Sequence, residues 1–146
     1  MADLINENLI AFDLEAENRD DAISKLVDVI DAEGRISNKD QFVADILKRE
    51  STCTTAIGFG IATPHAKSSG VKEPALAFAK LAHPIKWDDE SEEINTMFMI
   101  GVEESGADQH LEILASIFRQ LVHKKFRDQL AEATSKEDIV KLISSL

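Results

Sequence analysis

Two amphipathic helices are indicated in the first third of the chain by apolar residues that recur with helical spacing. Asn18 and Asn38 predict the N-caps of these helices. Gly34 fits the position just past the end of the first helix, and the second runs out near Arg49 and Glu50. The apolar stripes are Ile23, Leu26, Val27 and Ile30 in the first helix, and Phe42, Val43, Ile46 and Leu47 in the second.

Shorter apolar runs without helical spacing predict strands. Residues 9–12 form a short opening strand, and residues 75–81 and 94–102 have the composition of strands that are covered on both faces. In residues 57–65, two glycines stand among apolar residues, which is typical of a strand or bend that another backbone or a ligand approaches closely. Pro64 favours an extended conformation of the preceding residue and cannot donate a hydrogen bond to a sheet.

One long helix and two shorter ones are predicted in the last third. Asp108 is expected to cap the long helix. The predicted buried stripe of the long helix is Leu111, Leu114, Ala115, Phe118, Leu121 and Val122. The core residues of the shorter helices are Phe126 and Leu130 in one, and Ile139, Val140 and Ile143 in the other. The pattern predicts an α/β (α+β) fold over residues 1–146, a single domain with a mixed sheet of about five strands flanked by helices. Strand order and direction do not follow from it.

The composition of the 146 residues, with 44% apolar and 29% charged, is that of a folded domain. No apolar run approaches the ~20 residues that span a bilayer, and the N-terminus lacks the regions of a signal peptide. The single Cys53 agrees with a cytoplasmic location, because secreted domains more often carry paired cysteines. We therefore expect a cytoplasmic protein without membrane insertion. The start methionine and the closing helix predict a free-standing chain.

The net charge of −11 disfavours nucleic acid and anionic membranes as partners. It would steer a basic protein partner toward the chain, although solubility is the simpler role for most of these charges. The four histidines form no metal-binding pattern and one cysteine cannot pair, so neither a metal nor a cofactor is expected. The GxxxxGK[ST] phosphate loop is missing, and Gly58-Phe59-Gly60 matches only half of the dinucleotide-binding motif.

His65 is the most unusual histidine, because it ends an apolar run directly after Pro64 and precedes a polar loop at residues 67–70. This context would present its imidazole at the rim of a sheet. A nucleophilic histidine needs a neutral ring, an open nitrogen and a fixed tautomer. An apolar neighbour such as Ile61 would favour the neutral ring. On the local pattern alone, a turn histidine bonded to the backbone is the simpler interpretation.

Three other residues could bind an anion at the same place, and Glu50 lies beside one of them. His110 falls in the first turn of the long helix, where backbone N–H groups attract anions and a neutral histidine can donate one N–H. Arg49 is shaped for bidentate phosphate contact, although a cation at a helix end also satisfies carbonyls. Lys67 could reach the same anion, and Glu50 either orients a neighbouring basic group or is merely solvated.

Two stretches of the sequence carry a family resemblance. The first is RE-x6-IGFGIATPHA at residues 49–66, and the second is HLEILA at residues 110–115. They resemble the enzyme IIA domains of the fructose/mannitol class in the bacterial phosphoenolpyruvate-dependent sugar phosphotransferase system. The order of predicted helices and strands is also similar, so that the resemblance covers nearly the whole chain.

The resemblance implies a phosphotransferase that works through a phosphohistidine, in a mixed sheet with helices on both sides. In this family the histidine after the proline accepts phosphate from phospho-HPr and passes it to a cysteine of enzyme IIB, which serves the membrane enzyme IIC. That role falls on His65. The family's second histidine matches His110, a stabiliser of the phosphoryl group, and its arginine matches Arg49, a phosphate contact. The sugar cannot be inferred, because its recognition lies in the membrane component.

Thr63 departs from the family pattern, which usually has an aliphatic residue before the proline, and we expect it to alter packing rather than chemistry. One alternative is a regulatory, nitrogen-type IIA homologue that acts as a phosphorylation-dependent binding module, although residues 74–87 look more like the transport class. Another is a structural domain with incidental histidines, in which His65 is buried or does not label. A metal-dependent hydrolase is disfavoured because no ligand cluster is visible.

Overall fold

The computed structural model describes residues 4–89 and 93–146. The strands are β1 (Ile10–Leu14), β2 (Ala56–Gly58), β3 (Ile61–Ala62), β4 (His65–Lys67), β5 (Ala75–Lys86) and β6 (Glu93–Val102). The helices are α1 (Arg19–Ala32), α2 (Lys39–Thr52), α3 (Ala107–Leu121), α4 (Lys124–Glu132) and α5 (Lys136–Ser144), with a 3₁₀ turn at Glu7–Leu9.

Both predicted caps near the start of the chain are confirmed. The side-chain oxygen of Asn18 accepts a hydrogen bond from Asp21 N–H at 2.9 Å, and that of Asn38 accepts one from Gln41 N–H at 3.1 Å. The second helix, α2, continues to Thr52, beyond its predicted end. Its last turn therefore carries the Arg-Glu pair of the sequence motif.

The sheet is mixed, as predicted, with six strands instead of about five. Its order is β1-β5-β6-β3-β2, and β4 also pairs with β6. The central strands β5 and β6 are antiparallel, β1 is parallel to β5, and β2 is antiparallel to β3. Both β3 and β4 run parallel to β6.

The sixth strand arises from an interruption at Pro64. Ile61 pairs with Thr96 and His65 with Ile100, so that the partner lies 35 positions later in both pairings. Residues 61–67 thus follow β6 in one register. Pro64 has no N–H to donate, but its carbonyl still accepts from Ile100 N–H at 3.2 Å. The break therefore divides one extended segment into β3 and β4, and it fixes His65 against the centre of the sheet.

The bend predicted around the two glycines is the turn between β2 and β3. Its central residues, Phe59 and Gly60, have φ of 59° and 75°, as a two-residue hairpin turn of the primed type requires. A phenylalanine is rare in this conformation. The Arg127 guanidinium lies 3.7 Å from the centre of the Phe59 ring and stacks on it.

Helices cover both faces of the sheet. Residues 75–79 of β5 are all buried, and successive strand residues point to opposite faces, so that both faces are covered as predicted. α1 packs on α2 and β5, α2 on β4, α3 on β6, and α5 on β1. Among the described residues, no helix is long and apolar enough to cross a membrane.

The sequence prediction for α3 is wrong in two respects. The N-cap is Gly106 without a side-chain bond, and Asp108 lies inside the first turn. The buried residues are Ile113, Ile117 and Leu121, while Leu111 and Val122 from the predicted stripe are 65% and 67% exposed. α3 carries two neighbouring apolar stripes, and β6 can cover only one of them. The stripe that begins at His110 faces the sheet.

Gly101→Ala is expected to destabilise the protein by about 1–3 kcal/mol through overpacking. A Cβ at Gly101 would lie 2.6 Å from the Phe42 ring of α2, which is fully buried and cannot move without shifting that helix. Denaturant unfolding measures the effect. Phe42→Leu provides the control, because the double variant should lose less stability than the two single variants together. A single Gly101→Ala variant as stable as wild type would contradict this packing.

Candidate functional site

His65 is held at the first position of β4 with one ring nitrogen bound to the backbone. Its Nδ1 lies 2.7 Å from the carbonyl oxygen of Thr63. A carbonyl can only accept a hydrogen bond, so this contact assigns the proton to Nδ1. The backbone-bonded histidine considered for this position is therefore present, and the bond leaves Nε2 with a lone pair.

The residue is buried, with 6% of its surface exposed, as the structural-domain alternative requires. Its Nε2 is nevertheless accessible. In the part of the chain that the structure describes, only Nε2 of His110 is both fully buried and without a hydrogen-bond partner. Nε2 of His65 also has no hydrogen bond among these residues. It is therefore not fully buried, and His65 lines the cleft beside it.

His110, in the first turn of α3, lies against His65. The ring centroids are 4.9 Å apart and the planes are inclined by 53°. The residue is 8% exposed, and its Nε2 is the unpartnered buried atom described above. An unsatisfied buried polar atom costs free energy and calls for an explanation. A ligand held between the two rings would supply the missing partner.

The cleft next to the two histidines has a volume of about 330 Å³. Its lining includes three cations, Lys48, Arg49 and Lys67, and one carboxylate, Asp45. The remaining lining residues are Thr52, His65, Ala66 and His110. A locally positive cleft in a chain of net charge −11 is suited to an anion. In the described residues, no group of three or more His, Cys, Asp or Glu could hold a metal ion.

Arg49 has the capping role that its position in the sequence allowed, and its place in the cleft is compatible with the predicted phosphate contact. Its Nη1 donates to the Cys53 carbonyl at 2.7 Å, which caps the end of α2, and its side chain lines the cleft. The guanidinium carries five N–H donors, so that one capping bond leaves it able to bind an anion.

Both histidines are held neutral at pH 7. Burial lowers the pKa of His65; the bond to Thr63 opposes the change, and the Arg49 charge adds to it. Burial, together with smaller electrostatic effects of His65, Lys67 and Arg49, lowers the pKa of His110 to about 4. A neutral His65 is the nucleophilic form, and a neutral His110 can still donate one N–H.

Acidification should destabilise the fold through His110. The unfolded side chain binds its proton near pH 6.5, whereas the folded one does so at about 4. Between these values the unfolded state binds more protons than the folded state. The free energy of unfolding is therefore highest above pH 6.5 and decreases as the pH is lowered below that value. We expect a loss of about 1–2 kcal/mol from pH 7 to pH 5. Denaturant titrations at several pH values measure it. His110→Gln should flatten the slope, and an unchanged slope would contradict this origin.

Sequence reasoning found the histidines, Arg49 and Lys67 but missed three residues of the cleft. Asp45, Lys48 and Thr52 share one face of α2 with Arg49, at helical spacings of three and four residues. Applying the same helical spacing to the polar residues around Arg49 would have identified all three. The solvated interpretation of Glu50 is wrong, because this residue is 5% exposed.

A family model described as "Phosphoenolpyruvate-dependent sugar phosphotransferase system, EIIA 2" matches residues 3–146. The chain belongs to this family. As an EIIA component it is a phosphotransferase, which agrees with a neutral histidine beside a cationic cleft.

The relatives of this EIIA are sugar phosphotransferase proteins. It is 34% identical over 139 residues to the "PTS system fructose-specific EIIA component" of Haloferax volcanii, an alignment that covers 94% of this chain and 90% of the relative. It is 28% identical to the "PTS system fructose-like EIIA component" of Escherichia coli, over 97% of each. The "PTS system fructose-specific EIIABC component" of Bacillus subtilis is 31% identical over 99% of this chain, which spans 23% of that longer protein.

Solved structures share the fold. The nitrogen regulatory protein IIA-Ntr of Neisseria meningitidis superposes with a TM-score of 0.83 at 19% identity over 97% of both chains. Enzyme IIAMTL of Escherichia coli, in complex with phosphorylated enzyme IIBMTL, gives 0.81 at 18% identity over 97% of this chain and 98% of the other. At these identities the likeness establishes the architecture alone.

Proposed function

We propose that the chain is the phosphoryl carrier of a fructose-type phosphotransferase system, that it accepts a phosphoryl group from phospho-HPr on Nε2 of His65, and that it passes this group to the cysteine of an enzyme IIB. The observation that carries the proposal is the accessible Nε2 of His65, which adjoins a cationic cleft and the unpartnered Nε2 of His110. The names of the relatives, fructose-specific and fructose-like, support a fructose-type sugar.

The first transfer forms one bond and breaks one. The lone pair of Nε2 attacks the phosphorus of phospho-HPr, the Nε2–P bond forms, and the donor nitrogen leaves with the electron pair of its own P–N bond. His65 keeps the proton on Nδ1, so that its ring becomes cationic, and the Thr63 carbonyl at 2.7 Å stabilises this charge. The cationic ring is then a good leaving group.

The second transfer reverses the role of the ring. The thiolate of enzyme IIB attacks the same phosphorus, a P–S bond forms, and the Nε2–P electrons return to His65. In both transfers the phosphoryl oxygens need donors that are already in place. We assign this role to Arg49, whose guanidinium lines the cleft, and to Nε2–H of His110.

The stripe of α3 that the sheet does not cover would help to dock both protein partners. Leu111 follows His110 directly and is 65% exposed, so that an apolar surface begins at the edge of the cleft. Ala115, Phe118 and Val122 continue it at spacings of three and four residues. The exposed acidic residues Asp108 and Glu112 flank its start. This arrangement fits a partner with an apolar patch and a basic rim.

Incubation with phosphoenolpyruvate, enzyme I and HPr, read by intact mass, tests the proposal. Wild type should gain one acid-labile phosphoryl group and lose it when a fructose-type enzyme IIB is added, with a matching gain on the cysteine of IIB. A chain that stays unlabelled contradicts the carrier function. A labelled chain that gives nothing to IIB would favour the regulatory alternative instead.

Leu111→Lys should weaken docking of both partners without touching the chemistry. We expect an increase in KM for phospho-HPr of about tenfold, which corresponds to about 1.4 kcal/mol of lost binding, with kcat nearly unchanged. Steady-state kinetics with varied HPr measure both parameters. Leu142→Lys, a change at a partly buried apolar residue of α5, is the matched control. Equal KM values for wild type and Leu111→Lys would contradict docking on this stripe.

We further propose that residues 1–146 act as one IIA domain. The cytoplasmic location inferred from the sequence stays a prediction.

A further inference from the structure

Glu50 is a buried carboxylate that accepts three hydrogen bonds. The donors are Thr55 N–H at 3.0 Å, the Thr55 hydroxyl, and Nε1–H of Trp87 at 3.3 Å. No ion pair involves Glu50 in the part of the chain that the structure describes. Because an isolated charge is costly to bury, these three donors must stabilise the carboxylate. Glu50 thereby joins the end of α2 to the loop before β2 and to the residue that follows β5.

Thr55, which is held by Glu50, is in turn hydrogen-bonded to Thr63. Its carbonyl oxygen accepts two hydrogen bonds, from Thr63 N–H at 3.0 Å and from the Thr63 hydroxyl at 3.3 Å. Thr63 is 1% exposed. Thr63 is the residue that departs from the family pattern, and the sequence predicted that it alters packing. Its hydroxyl also adds a hydrogen bond that an aliphatic residue could not make.

Thr63 in turn holds His65. Its carbonyl oxygen accepts from Nδ1–H of His65 at 2.7 Å, and the next residue, Pro64, restricts the backbone between them. The direction of the Thr63 carbonyl decides which ring nitrogen carries the proton. A rotated carbonyl would release Nδ1–H and allow the tautomer in which Nε2 is protonated and cannot attack phosphorus.

We propose that Glu50 is a positioning residue for His65, which acts through Thr55 and Thr63 to keep the proton on Nδ1 and the lone pair on Nε2. The consequence for catalysis rests on the function proposed above, whereas the consequence for the tautomer does not. Every bond of this path is an observed contact. Glu50 does not line the cleft and makes no hydrogen bond to His65, so it is a positioning residue rather than a catalytic one.

Two pairs of variants separate positioning from charge and from simple loss of packing. Glu50→Gln can keep every contact, because its amide oxygen can face the two N–H donors and its NH₂ can donate to the Thr55 hydroxyl. Glu50→Ala removes all of the contacts. Thr63→Val deletes only the hydroxyl at nearly constant volume, and Thr63→Ser restores it.

The experiment combines long-range ¹H–¹⁵N NMR of the unphosphorylated protein with the initial rate of phosphorylation by phosphoenolpyruvate, enzyme I and HPr. Wild type and Glu50→Gln should show His65 with the proton on Nδ1. Glu50→Ala should show a mixture of tautomers and a rate about 10- to 100-fold lower. Thr63→Val should lower the rate about two- to tenfold, as expected for one neutral hydrogen bond, and Thr63→Ser should restore most of it.

The result that overturns the proposal is a folded Glu50→Ala variant with wild-type tautomer and rate. If Glu50→Ala does not fold, the two Thr63 variants decide, because equal tautomers and rates in Thr63→Val and wild type contradict the path. If wild type itself accepts no phosphoryl group, the proposed function fails, and the NMR comparison alone decides whether Glu50 sets the tautomer.

Discussion

His65→Ala is expected to accept no phosphoryl group from phospho-HPr, while wild type accepts one. Removal of the ring removes Nε2, the nitrogen that we propose as the phosphoryl acceptor, whereas Arg49 and His110 are assigned to bind the phosphoryl oxygens rather than to attack phosphorus. Intact mass after incubation with phosphoenolpyruvate, enzyme I and HPr measures the stoichiometry. The loss should be complete rather than partial, because the nucleophile itself is missing.

His83→Ala is the matched control for this experiment. His83 is exposed on β5 and is absent from the lining of the cleft, so this variant should label like wild type. Circular dichroism of His65→Ala should confirm that the sheet remains folded. Equal labelling of His65→Ala and wild type would contradict the assignment and would return the structural-domain interpretation to first place.

Local rules were sufficient for most of the fold. Asn18 and Asn38 predicted helix starts, since a side-chain oxygen at the N-cap accepts from an N–H group that the first turn leaves without a partner. Unbroken apolar runs predicted the two central strands, because a strand covered on both faces has no polar side to show. Strand order and the sixth strand depend on pairings between distant residues, which local patterns do not contain.

The face of α3 shows where periodicity fails. Leu111 and Ile113 lie on different sides of the helix, and each belongs to a stripe with acceptable spacing. Only the sheet decides between them, because β6 has room for one stripe. The stripe left in solvent is the one we propose as a docking surface, so that the wrong prediction coincides with a proposed functional feature.

At the site, the chemistry of the residue types predicted which side chains are involved, and the fold determined how they are arranged. Pro64 and His65 drew attention in the sequence, and the family resemblance joined them to His110 and Arg49. The burial of Glu50 could not be predicted, since its partners Thr55 and Trp87 come together only when α2, the following loop and β5 pack. The sequence left Glu50 with two interpretations, orientation of a basic neighbour or solvation, because it does not show which donors the fold brings to the carboxylate.

His110→Ala is expected to lower the rate of phosphoryl transfer by about 10²-fold, the usual effect of removing one donor aimed at developing charge. The ring lies 4.9 Å from that of His65. Its Nε2 has no hydrogen-bond partner among the described residues, and a phosphoryl oxygen on His65 could supply one. Unlike His65→Ala, this variant should still reach one phosphoryl group per chain at long times. Quenched-flow measurement of the first transfer separates the rate from the final stoichiometry.

The chemical identity of the lost donor can be tested with His110→Gln, whose amide N–H can replace Nε2–H, so that it should recover part of the rate. His123→Ala removes an exposed histidine at the start of α4 and should change nothing. If His110→Ala transfers as fast as wild type, the unpartnered nitrogen has no role in binding the phosphoryl group. If the alanine and glutamine variants are equally slow, the ring acts by filling space beside His65 rather than by donating a hydrogen bond. Recovery in the glutamine variant alone would identify the donor.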